Sequence, residues 1–208
     1  YLFVDGRYTI QARIQSGKNF KVITIPQKFP KEVLRKKLKI GFDPKLHNEK
    51  QLHFLFSAKN IVLKNIDKNL IDIIWTQKPD DPIRPFFSLS KKNAGQSSEK
   101  KIEKVKHSLL KNKVDYLLVT APENVAWILN IRGYDSEFSP IPNARLLMNK
   151  RGDIDLYSHP TKVKKIKKIL SGKIRFHNEN MIEKKLNNLW KKKNFVGPYI
   201  LFCLLQKF

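Results

Sequence analysis

The chain has 208 residues, the length of one large domain or two small ones, and 41% of them are apolar, which excludes a chain disordered throughout. A net charge of +24 sets a strongly solvated surface, and the single cysteine, Cys203, excludes an internal disulfide framework and a cysteine-rich zinc site. No apolar run reaches the roughly 18 residues of a membrane span, so the expected setting is reducing and cytoplasmic.

The chain opens at Tyr1, without an initiator Met, and reads as lacking an N-terminal portion. In the first half, short β-like runs at residues 2–4, 22–25, 39–42 and 61–63 alternate with helix-period stretches at 8–15, 47–57 and 68–75. Strands alternating with helices at this spacing predict an α/β layer structure with a partly parallel sheet. Residues 76–96 break the pattern with Pro79, Pro82 and Pro85 and a polar run from Lys91 to Gln96. Proline removes backbone donors and disfavours helix before it, so a linker is expected, with 79–96 as its bounds.

The pattern restarts near Ser98, where Ile102, Val105, Leu109 and Leu110 are expected on one helix face. Residues 115–120 read as a buried strand. Thr120-Ala-Pro-Glu123 fits a capping box that opens a helix over 124–130. Residues 145–149 and 154–158 flank Lys150-Arg-Gly-Asp153 as a β-hairpin. A helix over 159–170, a strand over 173–176 and a helix over 180–191 complete the second unit. The tail from Phe195 is out of character, since Tyr199-Ile-Leu-Phe-Cys-Leu-Leu205 has neither charge nor alternation. It reads either as a core strand awaiting cover or as a segment read out of frame, and the second is favoured.

The basic residues divide into 34 Lys and eight Arg, and the charge is spread along the chain. Nucleic-acid surfaces draw more on Arg for bidentate and stacking contacts. A solvated lysine-rich surface with no specific nucleic-acid partner is therefore the expected reading, and a basic nucleic-acid-binding module is the alternative.

Catalytic chemistry finds little to use. His47 and His53 are six residues apart, whereas a helical zinc pair needs a four-residue step. His107, His159 and His177 read as surface or cap residues. No catalytic residue and no metal ligand is assigned. Two turns remain. In Val4-Asp-Gly-Arg-Tyr8, Arg7 could grip a carbonyl or carboxylate beyond the end of a strand, or Asp5 could cap the next helix with Arg7 pairing locally. In Asn130-Ile-Arg-Gly-Tyr-Asp135, Arg132 and Asp135 could shape an interface or a cleft wall, or the turn could be a structural helix cap closing at Gly133.

The segments Phe3-Val-Asp-Gly-Arg-Tyr8, Ile40-Gly-Phe-Asp-Pro44, Asn69-Leu-Ile-Asp-Ile-Ile-Trp75 and Val119-Thr-Ala-Pro-Glu-Asn-Val-Ala-Trp-Ile-Leu-Asn-Ile-Arg-Gly-Tyr-Asp135 occur in that order. Together they resemble the non-catalytic N-terminal region of the long, three-domain Xaa-Pro aminopeptidases, over about residues 1–193. The resemblance implies two tandem creatinase-type N-terminal α/β domains with mixed sheets, the first (1–78) incomplete and the second over 97–193, before an aberrant tail (194–208). It implies a separate catalytic domain with two metal ions, usually manganese, that cleaves the bond before a penultimate proline. This chain has no segment matching the family's metal ligands, so no cofactor and no peptidase activity are expected of it alone. Arg7 matches the family arginine that contacts the bound peptide, and Arg132 and Asp135 match a pattern placed at an interface or cleft wall. The resemblance further implies a homodimer. A non-catalytic scaffold is a third reading.

Overall fold

The computed structural model describes residues 1–80, 83–170, 172 and 174–191. It divides into two units, Tyr1–Pro79 and Asp80–Phe208. The expectations for the tail and Cys203 lie outside the described residues.

The first unit is two β-α-β crossovers, each closed by a parallel strand pair. Strand β1 (Leu2–Asp5) runs into a 3-10 turn at Gly6–Tyr8 and then helix α1 (Thr9–Ser16), which ends at Gly17 with φ +54°. Strand β2 (Val22–Ile25) returns parallel to β1, with Leu2 opposite Val22 and Asp5 opposite Ile25. A short helix α2 (Pro30–Val33) follows, begun by a proline that needs no backbone donor there. Strand β3 (Leu38–Phe42), helix α3 (Glu49–Phe56) and strand β4 (Ile61–Asn65) form the second crossover, with Leu38 opposite Ile61. Asn48 and Gln51 cap α3 reciprocally: Asn48 Oδ1 accepts the Gln51 N–H at 2.8 Å and Gln51 Oε1 accepts the Asn48 N–H at 3.2 Å.

Helix α4 (Leu70–Ile74) is capped by Asn69, whose Oδ1 accepts the Ile71 N–H and whose Nδ2 donates to Asp43 Oδ2 at 3.0 Å. That bond ties two segments of the family resemblance together, and it is the leading cause that holds the Asp43 carboxyl below its usual range. Both sheets are two-stranded among the described residues. Ile10, Ile14, Leu70 and Ile74 are all at least 66% exposed, so this unit holds little core of its own.

The second unit is organised by one mixed sheet whose strands lie in the order Ile174–His177, Ile154–Tyr157, Arg145–Asn149 and Tyr116–Val119. Strand β5 (Phe87–Ser88) and the short helix α5 (Lys91–Ala94) precede helix α6 (Ser98–Lys111), which is capped by Ser97. Strand β6 (Tyr116–Val119) leads to helix α7 (Pro122–Leu129) and strand β7 (Ile131–Arg132). The hairpin β8 (Arg145–Asn149) and β9 (Ile154–Tyr157) follows, then α8 (Lys164–Lys167), β10 (Ile174–His177) and α9 (Ile182–Lys191). The β8–β9 turn is held by Asn149 Oδ1, which accepts the N–H groups of Arg151 and Asp153, with Gly152 at φ +89°.

Period-2 alternation splits the strand residues between two layers. Leu117, Val119, Leu146, Met148, Ile154 and Leu156 pack with Phe86, Val105, Leu109 and Ile128 in the main core. Tyr116, Leu118, Leu147 and Tyr157 face the other way and meet Ile182, Leu186 and Leu189 of α9.

Several local expectations shift. Leu110 is half exposed, because on α6 it lies a further 100° around the helix from the buried Leu109. The Thr120–Glu123 capping box does not form; Ala121 takes the cap position without a side-chain bond and Pro122 opens the helix. Helix forms over only four residues of the expected 159–170 stretch. From Phe86 onward the proline-rich stretch is packed: Phe86 is fully buried, and Phe87 and Ser88 pair with Arg132 and Ile131.

Candidate functional site

The Asp5-Gly6-Arg7 turn follows the carboxyl end of β1. Asp5 Oδ1 accepts the Arg7 backbone N–H at 2.9 Å and the Arg7 Nε–H at 3.2 Å, while Arg7 Nη2 donates to Oδ2 at 2.7 Å. These bonds hold the Asp5 carboxyl below, and the Arg7 guanidinium above, their ordinary ranges. The local pairing weighed from the sequence is therefore what the turn adopts, and the Arg7 side chain is still 82% exposed. The guanidinium lies over the Tyr8 ring, 5.6 Å from its centroid. No Nη1 bond forms among the described residues, so that end of the fork is available to a ligand.

The second turn is built from inside the second unit. Asn130 ends α7 in the left-handed region, φ +52° and ψ +38°, with its side chain buried. Its Nδ2 donates to Gln96 O at 2.8 Å, and its Oδ1 accepts from the buried Lys101 ammonium, which also donates to Trp127 O at 2.9 Å. Burial, and then the charge of Arg132, push the Lys101 pKa down. Arg132 donates through Nη1 to Ala126 O in the last turn of α7 at 3.1 Å, beside the Asn130 N–H that the same carbonyl accepts, and to Ile131 O of β7 at 2.8 Å. Asp135 pairs through Oδ1 with Lys162 Nζ at 2.7 Å and accepts the Asn143 N–H on Oδ2 at 2.6 Å. Asp135 thus fixes the base of the loop 133–143, and Arg132 braces the strand that leads into it against the end of α7. The loop presents Phe138, 90% exposed, at its outer part, while Tyr134 stacks on Phe87 with centroids 5.1 Å apart.

A third cluster has no forerunner in the sequence reading. Asp155, buried on the α9 face of β9, accepts from Arg175 Nε at 2.7 Å, sits 2.8 Å from His177 Nε2 and lies 3.4 Å from Lys185 Nζ. Burial alone would raise its pKa. The bonds from Arg175 and His177, with Lys185 close by, outweigh burial and bring it to about 2. Tyr157, two residues on, stacks on His177 and is pushed up to about 12 by burial and by the Asp155 charge. The available signal was an aspartate in an otherwise apolar strand, Ile154-Asp-Leu-Tyr157; its partners lie 20 or more residues away.

The two turns belong to different units. Among the described residues, no three His, Cys, Asp or Glu gather as a metal site. No helix among them is long and apolar enough to cross a membrane.

The model of the Creatinase/Prolidase N-terminal domain family matches residues 77–201, more than half of the chain. The chain belongs to this family. As a creatinase/prolidase N-terminal domain protein it is 36% identical over 154 residues to a probable Xaa-Pro aminopeptidase P of Coprinopsis cinerea, a stretch that is 68% of this chain and 24% of that one. A probable Xaa-Pro aminopeptidase P of Laccaria bicolor is 34% identical over 152 residues, with the same coverage. The chain thus spans about a quarter of the length of these curated relatives. The crystal structure of X-prolyl aminopeptidase from Caenorhabditis elegans superposes with a TM-score of 0.80 at 26% identity, over 92% of this chain and 33% of that one. The α/β fold read from the sequence is the fold of that region. The nematode protein is described as a cytosolic enzyme with a di-nuclear active site. The described residues of this chain do not fit such a centre: the buried carboxylate beside a histidine, Asp155, is already compensated by Arg175 and Lys185, whose charges repel a metal ion.

Proposed function

We propose that the chain is the N-terminal, non-catalytic part of a metal-dependent Xaa-Pro aminopeptidase that releases the first residue of peptides with proline at the second position. The observation that carries this reading is the structural match over 92% of the chain, across both units, to an enzyme of that kind. In the intact enzyme these domains shape the substrate cleft and support a homodimer in the cytoplasm. Hydrolysis belongs to a separate catalytic domain holding two manganese ions. When bound there, the metal pair lowers the pKa of water and clamps the reacting oxygens.

What this chain supplies is positioning. Asp5 holds two edges of the Arg7 fork and leaves Nη1 to donate to a peptide carbonyl or carboxylate. Asp135 acts one step back, fixing the loop 133–143 as a cleft or interface wall, and Arg132 braces the strand that leads into it.

The chain alone, loaded with Mn2+, should release no amino acid from an Xaa-Pro peptide. Grafted in place of the matching region of an Xaa-Pro aminopeptidase, it should restore turnover that deletion of that region abolishes. A soluble, dimeric chimera that stays inactive would sink the reading.

A basic nucleic-acid module rests on the net charge of +24. It requires a preference among nucleic acids that survives physiological salt. Binding that vanishes near that salt and ignores sequence returns the charge to a solvated surface.

A further inference from the structure

The geometry points to a docking groove for an acidic peptide segment in extended form, along β2 of the first unit. The groove encloses about 610 Å3. Its lining includes four consecutive residues, Lys21, Val22, Ile23 and Thr24. Successive side chains of a strand point to opposite faces, so four in a row line a groove that runs along the strand's edge rather than over one face. Among the described residues β2 is hydrogen-bonded to β1 alone, in a two-stranded sheet. On its other edge the Thr24 carbonyl already accepts the Lys28 N–H at 3.2 Å, whereas Val22 keeps its peptide groups to offer, and an extended peptide is the ligand that pairs with them.

Charge selects the kind of peptide. Arg13, Lys21, Lys28 and Arg35 line the groove, against one carboxylate, Glu32. Glu32 is partly committed, since its Oε2 accepts the Phe29 N–H at 2.6 Å. All four cations are exposed, and none forms an ion pair among the described residues. Elsewhere in the same unit, Arg7 and Lys78 are paired with Asp5 and Asp72. Four uncompensated charges around one concavity raise the potential inside it and draw in a ligand of opposite sign. Glutamate or aspartate side chains flanking an added strand would meet them.

The test uses the 208-residue chain and a fluorescein-labelled hexaglutamate peptide, read by fluorescence polarisation at low salt. One variant carries Arg13→Gln, Lys21→Gln, Lys28→Gln and Arg35→Gln. A control carries Lys91→Gln, Lys100→Gln, Lys104→Gln and Lys111→Gln, four exposed lysines of the second unit that lower the net charge equally. The groove variant should bind about tenfold more weakly or worse, and the control within about twofold of the parent. Equal losses would mean that net charge alone attracts the peptide, and would overturn the site. Tighter, groove-dependent binding of a labelled oligothymidylate of matched charge would overturn the peptide assignment in favour of nucleic acid. If circular dichroism shows the quadruple variant unfolded, Arg13→Gln with Lys28→Gln against Lys100→Gln with Lys104→Gln makes the same comparison.

Discussion

Lys162 and Asp135 form an ion pair of 2.7 Å whose side chains are only 7% and 9% exposed. It joins the loop 133–143 to the segment before α8, and the Lys162 carbonyl in turn accepts the Phe86 N–H at 2.7 Å. Three stretches that are far apart in sequence therefore meet at one charge pair. Buried pairs add little net stability over apolar substitutes, but breaking one partner strands the other charge.

Lys162→Met should accordingly destabilise the second unit by about 3 kcal/mol or more, leaving Asp135 with the Asn143 N–H as its remaining partner. Lys162→Met combined with Asp135→Leu should recover most of that loss. Urea midpoints of the single and double variants decide it; a single variant as stable as the parent would show that the pair is dispensable.

Gly133 and Gly6 sit in the two turns singled out from sequence and answer differently to a methyl group. A Cβ on Gly133 would lie 2.9 Å from Pro142 Cα, 3.0 Å from Phe86 Cδ1 and 3.1 Å from Ile141 O, whereas nothing lies within 4 Å of one on Gly6. Gly133→Ala should cost about 1–3 kcal/mol, since backbone must move. Gly6→Ala should leave stability nearly unchanged, and a large melting shift in it would contradict the turn geometry.

The strands and the longer helices were legible because the signal is local. Val22–Ile25, Tyr116–Val119 and Arg145–Asn149 are short apolar runs bounded by polar turns, and Ile102, Val105 and Leu109 repeat with the helical period. Pieces whose stability comes from tertiary pairing were not. Phe87–Ser88 is a strand only because Ile131–Arg132 lies beside it, and the lysine-rich 159–170 stretch shows no local sign of where helix stops. The site residues divide the same way. The Asp5–Arg7 turn was readable from spacing of two, whereas the Lys162 partner of Asp135 and the partners of Asp155 lie 20 to 30 residues away and nothing in the spacing announces them.

Asn130 combines a strained backbone with two side-chain bonds, and the two contributions separate by substitution. Asn130→Ala loses the bonds to Lys101 and Gln96 and keeps the φ of +52°, which a β-carbon disfavours. Asn130→Gly loses the same bonds and relieves the backbone. Both should destabilise, alanine by about 1 kcal/mol more than glycine. Thermal melts that rank glycine below alanine would remove backbone strain from the account.

Arg7→Ala in the assembled enzyme should raise KM for an Xaa-Pro peptide or lower kcat/KM by about tenfold, the loss of one charged hydrogen bond to substrate. The fold should not change, because the side chain is 82% exposed and touches the protein mainly through Asp5. Arg7→Lys should rescue only part, since an ammonium cannot keep the Asp5 pair and reach a peptide with the same fork. Unchanged kinetics in both variants would take Arg7 out of the substrate cleft.

Asp155 makes the stability of the second unit sensitive to acid. Its folded pKa of about 2 lies below the ordinary 3.8, so the folded state holds its charge at a pH where the unfolded chain has taken up a proton. The stabilisation is fully present above about pH 4 and is lost as the pH falls from there toward 2. It should amount to about 1 kcal/mol or slightly more, because Arg175 and Lys185 are partly open to solvent and screened. Asp155→Asn should be less stable than the parent at pH 6, and the gap should narrow toward pH 2. Lys185→Met should weaken the hold on α9 while leaving the Arg175 and His177 contacts, giving a smaller version of the same profile. Urea unfolding at a series of pH values measures both, and parallel curves for parent and Asp155→Asn would show that this carboxylate is not held in its charged form by the fold.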